Sequence, residues 1–447
     1  MSSRNKKVFI HTLGCPKNEV DSEVMAGIFR RDGLSIAATP DEADLVVVNT
    51  CSFIDTAKQE SIEAILEAGQ EKGHRKLLVT GCLAERYGDE LLKEIPEIDG
   101  LVGVRALQTV GAAAQRVLKG SPVCDRDLAW LAEEQDPLSE ARLSLGTAHS
   151  AYVKIAEGCN RPCAFCSIPS FRGKLASRTV PSLVQEMRGL ALRGASEIIL
   201  IGQETTAYGN DRNDGSSLPA LFDEIMTIED LRWVRLMYAY PSAVSDELID
   251  RLGKGNICSY LDMPIQHAST SVLRNMRRGM SGNVIRETVA RLRERVPGLT
   301  LRTTVMVGFP GETDRDVAEL IDFVKEARFD HLGVFPFSPQ EDTHAATLPD
   351  PVPADVARDR QQMVLDAQEE IAYARTQKLV GTTQTVLIDE FIDGETHART
   401  EMDAPEIDGV VTIPGYAGPP GTYLDVEIEE AYGPTLVARA PSPAGAQ

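Results

Sequence analysis

The chain has 447 residues, 43 % hydrophobic and 25 % charged, which is the balance of an ordinary globular protein with room for about three domains. No run approaches the ~18 apolar residues of a membrane helix, and the opening Met1-Ser2-Ser3-Arg4-Asn5-Lys6-Lys7 carries no signal-peptide core, so a cytoplasmic location with no membrane contact is expected. A net charge of −21 disfavours generic nucleic-acid binding, because Lys and Arg against phosphate supply most of that affinity.

Up to about residue 120, short apolar strands alternate with amphipathic helices. Val8–Leu13, Leu45–Asn49 and Leu77–Thr80 read as strands, and Val20–Arg31, Phe53–Ala68 and Ala84–Leu92 as helices. Such alternation predicts a parallel sheet with crossover helices. Cys15, Cys51 and Cys82 each fall one or two residues past a strand. The carboxyl ends of parallel strands form the ligand crevice of an open α/β sheet, so the three can converge. From Ser121 to His149 no strand pattern is visible, and Glu133-Glu134-Gln135-Asp136-Pro137 reads as linker.

The next region repeats the alternation through Ala151–Ala156, Glu197–Ile201, Trp233–Met237, Ser259–Met263, Leu301–Val307 and His331–Phe335. Helical patterns such as Leu183–Leu192, Ser245–Leu252 and Val284–Val296 lie between them. Successive βα units without a dinucleotide glycine fingerprint predict a partial (β/α)6 barrel, with functional groups at its C-terminal rim. Rim candidates are Gly202-Gln203-Glu204, Tyr238-Ala239-Tyr240-Pro241, Gln266-His267 and Gly308-Phe309-Pro310-Gly311-Glu312. His267 and His331, both expected near that rim, receive no role, since a lone histidine is more often structural.

A long charged helix, about Ala354–Lys378, leads to alternating apolar stretches such as Thr385-Val386-Leu387-Ile388 and Tyr423-Leu424-Asp425-Val426-Glu427-Ile428. Gly and Pro separate these, which predicts a small antiparallel β-barrel. From Gly381 onward twelve acids face two bases, Arg399 and Arg439, a local charge of −10 over 67 residues. A basic protein suits that surface better than a phosphate backbone, although acidic runs usually serve only solvation.

The run Glu157-Gly158-Cys159-Asn160-Arg161-Pro162-Cys163-Ala164-Phe165-Cys166 is the sharpest signal. Zinc sites usually close with four ligands, and no fourth Cys or His lies close by; His149 is ten positions upstream. A four-iron cluster normally takes four cysteines, so three leave one iron open for a small ligand. Cys124 and Cys258 have no partner spacing and read as structural.

This spacing resembles the radical S-adenosylmethionine (SAM) superfamily, in which the open iron chelates SAM and the reduced cluster cleaves it to a 5′-deoxyadenosyl radical. Phe165 before the third cysteine and the loop's place after the first barrel strand match as well. The segments Thr12-Leu13-Gly14-Cys15-Pro16-Lys17-Asn18, Val48-Asn49-Thr50-Cys51-Ser52 and Val79-Thr80-Gly81-Cys82 resemble the methylthiotransferases of that superfamily. There, three such cysteines hold a second four-iron cluster that carries the inserted sulfur. The small terminal barrel then corresponds to a TRAM domain.

Two branches share this layout; one modifies a transfer-RNA adenosine, the other the β-carbon of an aspartate in the twelfth small-subunit ribosomal protein. Gly14-Cys15-Pro16-Lys17-Asn18, Cys166-Ser167-Ile168-Pro169-Ser170-Phe171-Arg172-Gly173 and above all Arg399-Thr400-Glu401-Met402-Asp403-Ala404-Pro405-Glu406-Ile407-Asp408-Gly409 resemble the protein-modifying branch. Asp342 stands before Thr343 where that family commonly has glycine, a change that turn geometry tolerates.

The resemblance implies an auxiliary-cluster domain over 1–120, a linker over 121–147, a radical SAM barrel over 148–378, a TRAM barrel over 379–440 and a disordered tail over 441–447. It implies two [4Fe-4S] clusters, on Cys15, Cys51 and Cys82 and on Cys159, Cys163 and Cys166, together with SAM. Phe165, Gly202, Gln203, Glu204, Gly308 and Gly311 are candidates to contact SAM or substrate. Implied partners are the ribosomal protein, free or in the small subunit, and an electron donor such as a flavodoxin or ferredoxin. Transfer-RNA methylthiolation is the alternative activity. A two-cluster electron carrier would need four ligands per cluster, and an RNA-binding adaptor would need a basic face.

Overall fold

In the computed structural model, which describes residues 5–126 and 142–441, the first sheet is wholly parallel. Its strands are β1 (Lys7–Thr12), β2 (Ser35–Ile36), β3 (Leu45–Thr50), β4 (Lys76–Gly81), β5 (Gly100–Gly103) and β6 (Val123–Asp125), in the order β2-β1-β3-β4-β5-β6. Every residue of β3 is buried, as a central strand covered on both faces requires. The covering helices are α1 (Pro16–Arg31), α2 (Asp55–Gln70), α3 (Cys82–Glu94) and α4 (Val110–Leu118). Helix α1 begins directly on Pro16, a residue suited to a first helical position. It buries polar Asn18, Asp21, Ser22 and Glu23 along with Val20, Val24 and Ile28, because it packs between its own sheet and the next domain.

Two boundaries differ from the sequence reading. The linker does not start at Ser121, since β6 pairs in parallel with β5 and extends the first sheet to Asp125. Strands of two to four residues, such as β2, β5 and β6, are too short to show the period-2 alternation. Glu133–Pro137 and the last six residues lie outside the described residues. The helix expected over Ser245–Leu252 is only Asp246–Ile249, and Gly253 in the left-handed region follows it.

The second sheet also has six parallel strands: β7 (Ser150–Lys154), β10 (Glu197–Ile201), β11 (Trp233–Leu236), β12 (Ile257–Asp262), β13 (Thr300–Val307) and β14 (His331–Pro336). Their order is β14-β13-β12-β11-β10-β7, with β7 and β14 at the two edges, so the barrel is open. Alternation sorts its core: Ile198 and Leu200 pack outward with Leu221 and Phe222. Ile199, Ile201, Met237 and Tyr260 point inward, into a cluster shared with Val24 and Ile28 of α1. A small hairpin of β8 (Ala156–Glu157) and β9 (Ala176–Ser177) brackets the cysteine loop.

The third unit is a closed barrel of β15 (Thr383–Ile392), β16 (Glu395–Thr400), β17 (Val411–Pro414), β18 (Tyr423–Tyr432) and β19 (Thr435–Arg439). Its segment 399–408 plugs the amino ends of the second sheet. Arg399 reaches Glu197 at 2.8 Å and Asp389 at 2.7 Å, while Arg235 donates to the Glu401 carbonyl at 2.8 Å. The Ser259 amide donates to Glu401 at 2.7 Å, and the Tyr260 hydroxyl to Asp408 at 2.7 Å. The segment that looked most diagnostic in sequence is therefore an inter-domain plug. His331 belongs to it: it opens β14 at the amino end, not the rim, with a ring nitrogen 2.9 Å from the Met402 carbonyl. His149 likewise pairs with Asp389 at 3.1 Å.

This docking is acid-sensitive. Burial alone would raise the Glu197 carboxyl, but Arg399 and Arg235 outweigh it and hold it below its ordinary value. Burial is likewise outweighed at Asp389, by hydrogen bonds from His149 and Arg399. Groups depressed in the fold stabilise it above their unfolded values, ~4, and that contribution is lost as pH falls through the folded values. Protection of the amides across 399–409 against hydrogen exchange, with the intrinsic pH dependence of exchange divided out, should stay flat from pH 7 down to about 4 and fall below it. A fall already between neutrality and about 5 would contradict the assignment.

Candidate functional site

Each cysteine of the first group sits where the polypeptide leaves the carboxyl end of a strand. Cys15 caps α1 after β1, Cys51 follows β3, and Cys82 opens α3 after β4. The turns are pressed together: a Cβ on Gly14 would lie 2.7 Å from the Cys51 Cβ, and one on Gly81 2.5 Å from the Thr50 carbonyl. Both glycines have left-handed φ, +91° and +95°, that a side chain would oppose. Asn18 cross-links two of the turns, donating to the Leu13 carbonyl at 2.8 Å and the Thr50 carbonyl at 3.0 Å. Ser61 locks the second position, accepting from the Cys51 amide and donating to its carbonyl, each at 3.0 Å.

The second group, Cys159, Cys163 and Cys166, lies on the loop after β8. Gly158 (φ +69°) leaves room for nothing larger, because a Cβ would fall 2.1 Å from the Lys174 carbonyl. The loop is pinned by the Ala164 amide to Met276 (2.9 Å) and by the Ala345 amide to Ala164 (2.8 Å). Phe165 packs partly buried against a cluster of Ala164, Val272, Met276 and Phe309. Asp342, just upstream of Ala345, adopts φ +61°, the left-handed geometry that a glycine there would serve.

Burial pushes the thiols of Cys82 and Cys166 up to about 12, and raises Cys51 and Cys159 as well. Buried thiols of this kind are inert as free nucleophiles, and metal ligation is what turns them into thiolates. Among the described residues no three His, Cys, Asp or Glu close on a single-ion site. A four-iron cluster needs a wider spread, since each thiolate grips a different iron. Buried polar atoms without partners also flank the thiols in sequence: Asn49 Oδ1 and Ser52 Oγ beside Cys51, and Ser167 Oγ beside Cys166. The donor set and its surroundings fit iron–sulfur clusters better than zinc.

The expected SAM and substrate contacts lie at the carboxyl ends of the barrel strands, with unequal freedom. Gln203 donates to Glu157 at 3.3 Å and leaves its own Oε1 without a partner. Glu204 is clasped by Arg161 in two hydrogen bonds of 2.6 and 2.5 Å. A Cβ on Gly202 would have its nearest neighbour at 3.5 Å, which is ordinary contact. Gly308, by contrast, is pressed on the helix Ala354–Thr376, where a Cβ would meet that of Ala357 at 2.5 Å. Gly311 turns the backbone at φ +79° and donates to the Asp350 carbonyl at 2.9 Å.

Several residues around the site were not legible in the sequence. Arg278 donates to the Cys163 Sγ at 3.4 Å, and with Arg161 it sandwiches the Tyr240 ring at 4.1 and 3.9 Å. His267, a rim candidate of the sequence that received no role, is fully buried, with a ring nitrogen 3.5 Å from Glu312. Between the two cysteine groups runs a buried ionic network. Lys154 pairs with both Asp21 and Glu157, and Arg172 binds Glu157 at 3.0 Å, Asn18 at 2.9 Å and Asp21 at 3.2 Å. All four charged side chains are buried and balance two against two. Arg172 follows Cys166 by six residues, yet it reaches Asn18 and Asp21 of α1, the helix that begins at Cys15 of the other group. The FRG segment that carries Arg172 was the available signal.

Known proteins match the chain in three successive stretches and over nearly its whole length. Residues 7–103 match the family described as uncharacterized protein family UPF0004, 153–324 the radical SAM superfamily and 380–440 the TRAM domain. The ribosomal protein uS12 methylthiotransferase RimO of Syntrophotalea carbinolica is 42 % identical over 438 residues, covering 96 % of each chain. That of Desulforudis audaxviator is 43 % identical and covers 95 % of each. Among solved structures, the radical SAM methyltransferase TsrM of Kitasatospora setae, with cobalamin and a [4Fe-4S] cluster bound, superposes with TM-score 0.57 at 15 % identity, over 75 % of this chain and 74 % of that one. The cobalamin-dependent radical SAM enzyme OxsB superposes with TM-score 0.54 at 12 % identity, over 81 % and 56 %. At such identities the likeness is one of fold.

Proposed function

Since the chain belongs to the RimO family of ribosomal protein uS12 methylthiotransferases, radical SAM enzymes that use SAM and [4Fe-4S] clusters, we propose that it transfers a methylthio group to the β-carbon of one aspartate of uS12. The observation that carries this reading is the pair of cysteine triads at the carboxyl ends of two parallel sheets, coupled by one buried charge network through Arg172. An electron carrier needs no such coupling to a triad with an open iron.

In this reading Cys159, Cys163 and Cys166 hold the cluster that binds SAM, and Cys15, Cys51 and Cys82 hold the auxiliary cluster. When bound, these groups supply the one-electron cleavage of SAM and the sulfur that is inserted. The protein's own residues position and protect. Arg278 donates to Cys163, and the Arg161–Glu204 clasp fixes the far side of the loop. Phe165, Gly202 and Gln203 line the approach to SAM, while Gly308 and Gly311 shape the neighbouring turn. The plug 399–409 seals the amino ends of the barrel, so the substrate carbon enters from the rim into a water-poor space where a carbon radical survives.

The acidic third domain suits a basic ribosomal protein, free or in the small subunit, better than transfer RNA. A flavodoxin or ferredoxin supplies the electrons, and the reducing cytoplasm is the compartment. The test offers purified uS12 and unmodified transfer RNA in parallel to the anaerobically reconstituted, reduced protein with SAM and sulfide. A methylthio mass gain on the protein alone is the expected result; a gain on the RNA alone would overturn the substrate.

A further inference from the structure

We propose that Lys17 is the carboxylate-binding residue of the substrate site, the positive group that receives the side chain of the aspartate to be modified. The inference rests on the reading that the substrate residue is an aspartate.

Lys17 is only 9 % exposed, yet among the described residues no carboxylate pairs with it. Its ammonium lies over the Tyr238 ring instead, 3.3 Å from the centroid. A buried ammonium normally has an anionic partner, because burial without one is costly. Its position also opposes local preference: a lysine in the first turn of α1 faces the positive end of the helix dipole. Neither the fold nor the helix accounts for it.

Its location does. Lys17 is two residues from Cys15 at the carboxyl end of β1, and Tyr238 lies just past the carboxyl end of β11. The pair therefore spans the gap between the crevice of the first sheet and the rim of the barrel. Tyr238 is held at φ +61°, a strained value for an aromatic residue, by its amide on Asp262 (3.0 Å) and by the Thr205 amide on its carbonyl (3.2 Å). The ring is thus fixed beneath the ammonium. A carboxylate meeting Lys17 would enter at the end of the first sheet that carries Cys15, Cys51 and Cys82.

The test measures binding of two peptides spanning the modified aspartate of uS12, the natural one and an Asp→Asn copy, to the full-length reconstituted protein by fluorescence anisotropy. Losing one partner of a buried charge pair corresponds to about 30-fold or more in affinity. The wild type should prefer the natural peptide by about that factor, Lys17→Met should bind both peptides alike, and Lys17→Arg should keep part of the preference. Iron content and melting temperature establish that the variants are folded, and the peptide substitution tests the wild type with no change to the protein. A Lys17→Met protein that keeps the preference, or a wild type without one, overturns the assignment. If uS12 is nonetheless methylthiolated in that case, the function stands and only Lys17 falls; if uS12 neither binds nor reacts, both fall.

Discussion

Replacing Cys159, Cys163 or Cys166 by alanine abolishes SAM cleavage, whereas replacing Cys15, Cys51 or Cys82 leaves cleavage in place and removes only methylthio transfer. The division follows from topology. The two triads lie on different sheets, each held by its own hydrogen bonds, through Asn18 and Ser61 on one side and Met276 and Ala345 on the other. Loss of one ligand therefore opens one site and spares the other. Iron and sulfide should fall to roughly half when all three cysteines of either triad are replaced together. Release of 5′-deoxyadenosine, followed chromatographically, should separate the two classes completely. If a Cys15→Ala protein cannot cleave SAM, the triads do not act separately.

Arg172→Met should be the most damaging change that touches no ligand. It leaves Asp21 and Glu157 buried with Lys154 as their one remaining cation in the network, and removes the hydrogen bond to Asn18 that braces the first triad. Breaking a buried ion pair on one side costs about 3–5 kcal/mol. The unfolding midpoint in denaturant should fall accordingly, and iron should be lost first from the Cys15, Cys51 and Cys82 site, because Arg172 braces Asn18, which ties the Cys15 and Cys51 turns together. Arg172→Lys restores the charge but not the planar fork that reaches three partners, and should recover only part of the loss. A loss of less than about 1 kcal/mol would show the network to be incidental.

Much of the architecture was legible because its signals are periodic. Long apolar strands such as β3 and β10 and the six-fold βα alternation leave a pattern that length and burial enforce. The cysteines were legible because a cluster needs thiols at strand ends or on one short loop. What escaped depends on residues distant in sequence. Lys154 and Asp21 are 133 positions apart, and Arg399 meets Glu197 across 202. Nothing local marks a lysine in a strand as half of a buried network. The 399–409 segment was recognised as distinctive, but its work of plugging the barrel shows only where Glu401 and Asp408 meet Ser259 and Tyr260. His331 was misplaced for a related reason: one residue at a strand's start and one at its end lie on opposite mouths of the barrel.

The most direct test follows one hydrogen atom. Ribosomal protein uS12 carrying deuterium on the β-carbon of its aspartates is given to the reduced, reconstituted enzyme with SAM and sulfide, and the 5′-deoxyadenosine is analysed by mass spectrometry. Deuterium in that product, with the methylthio group located by peptide fragmentation on the same β-carbon, is the expected result. Unlabelled 5′-deoxyadenosine beside a modified aspartate, or label transfer with the sulfur on another atom, would contradict it.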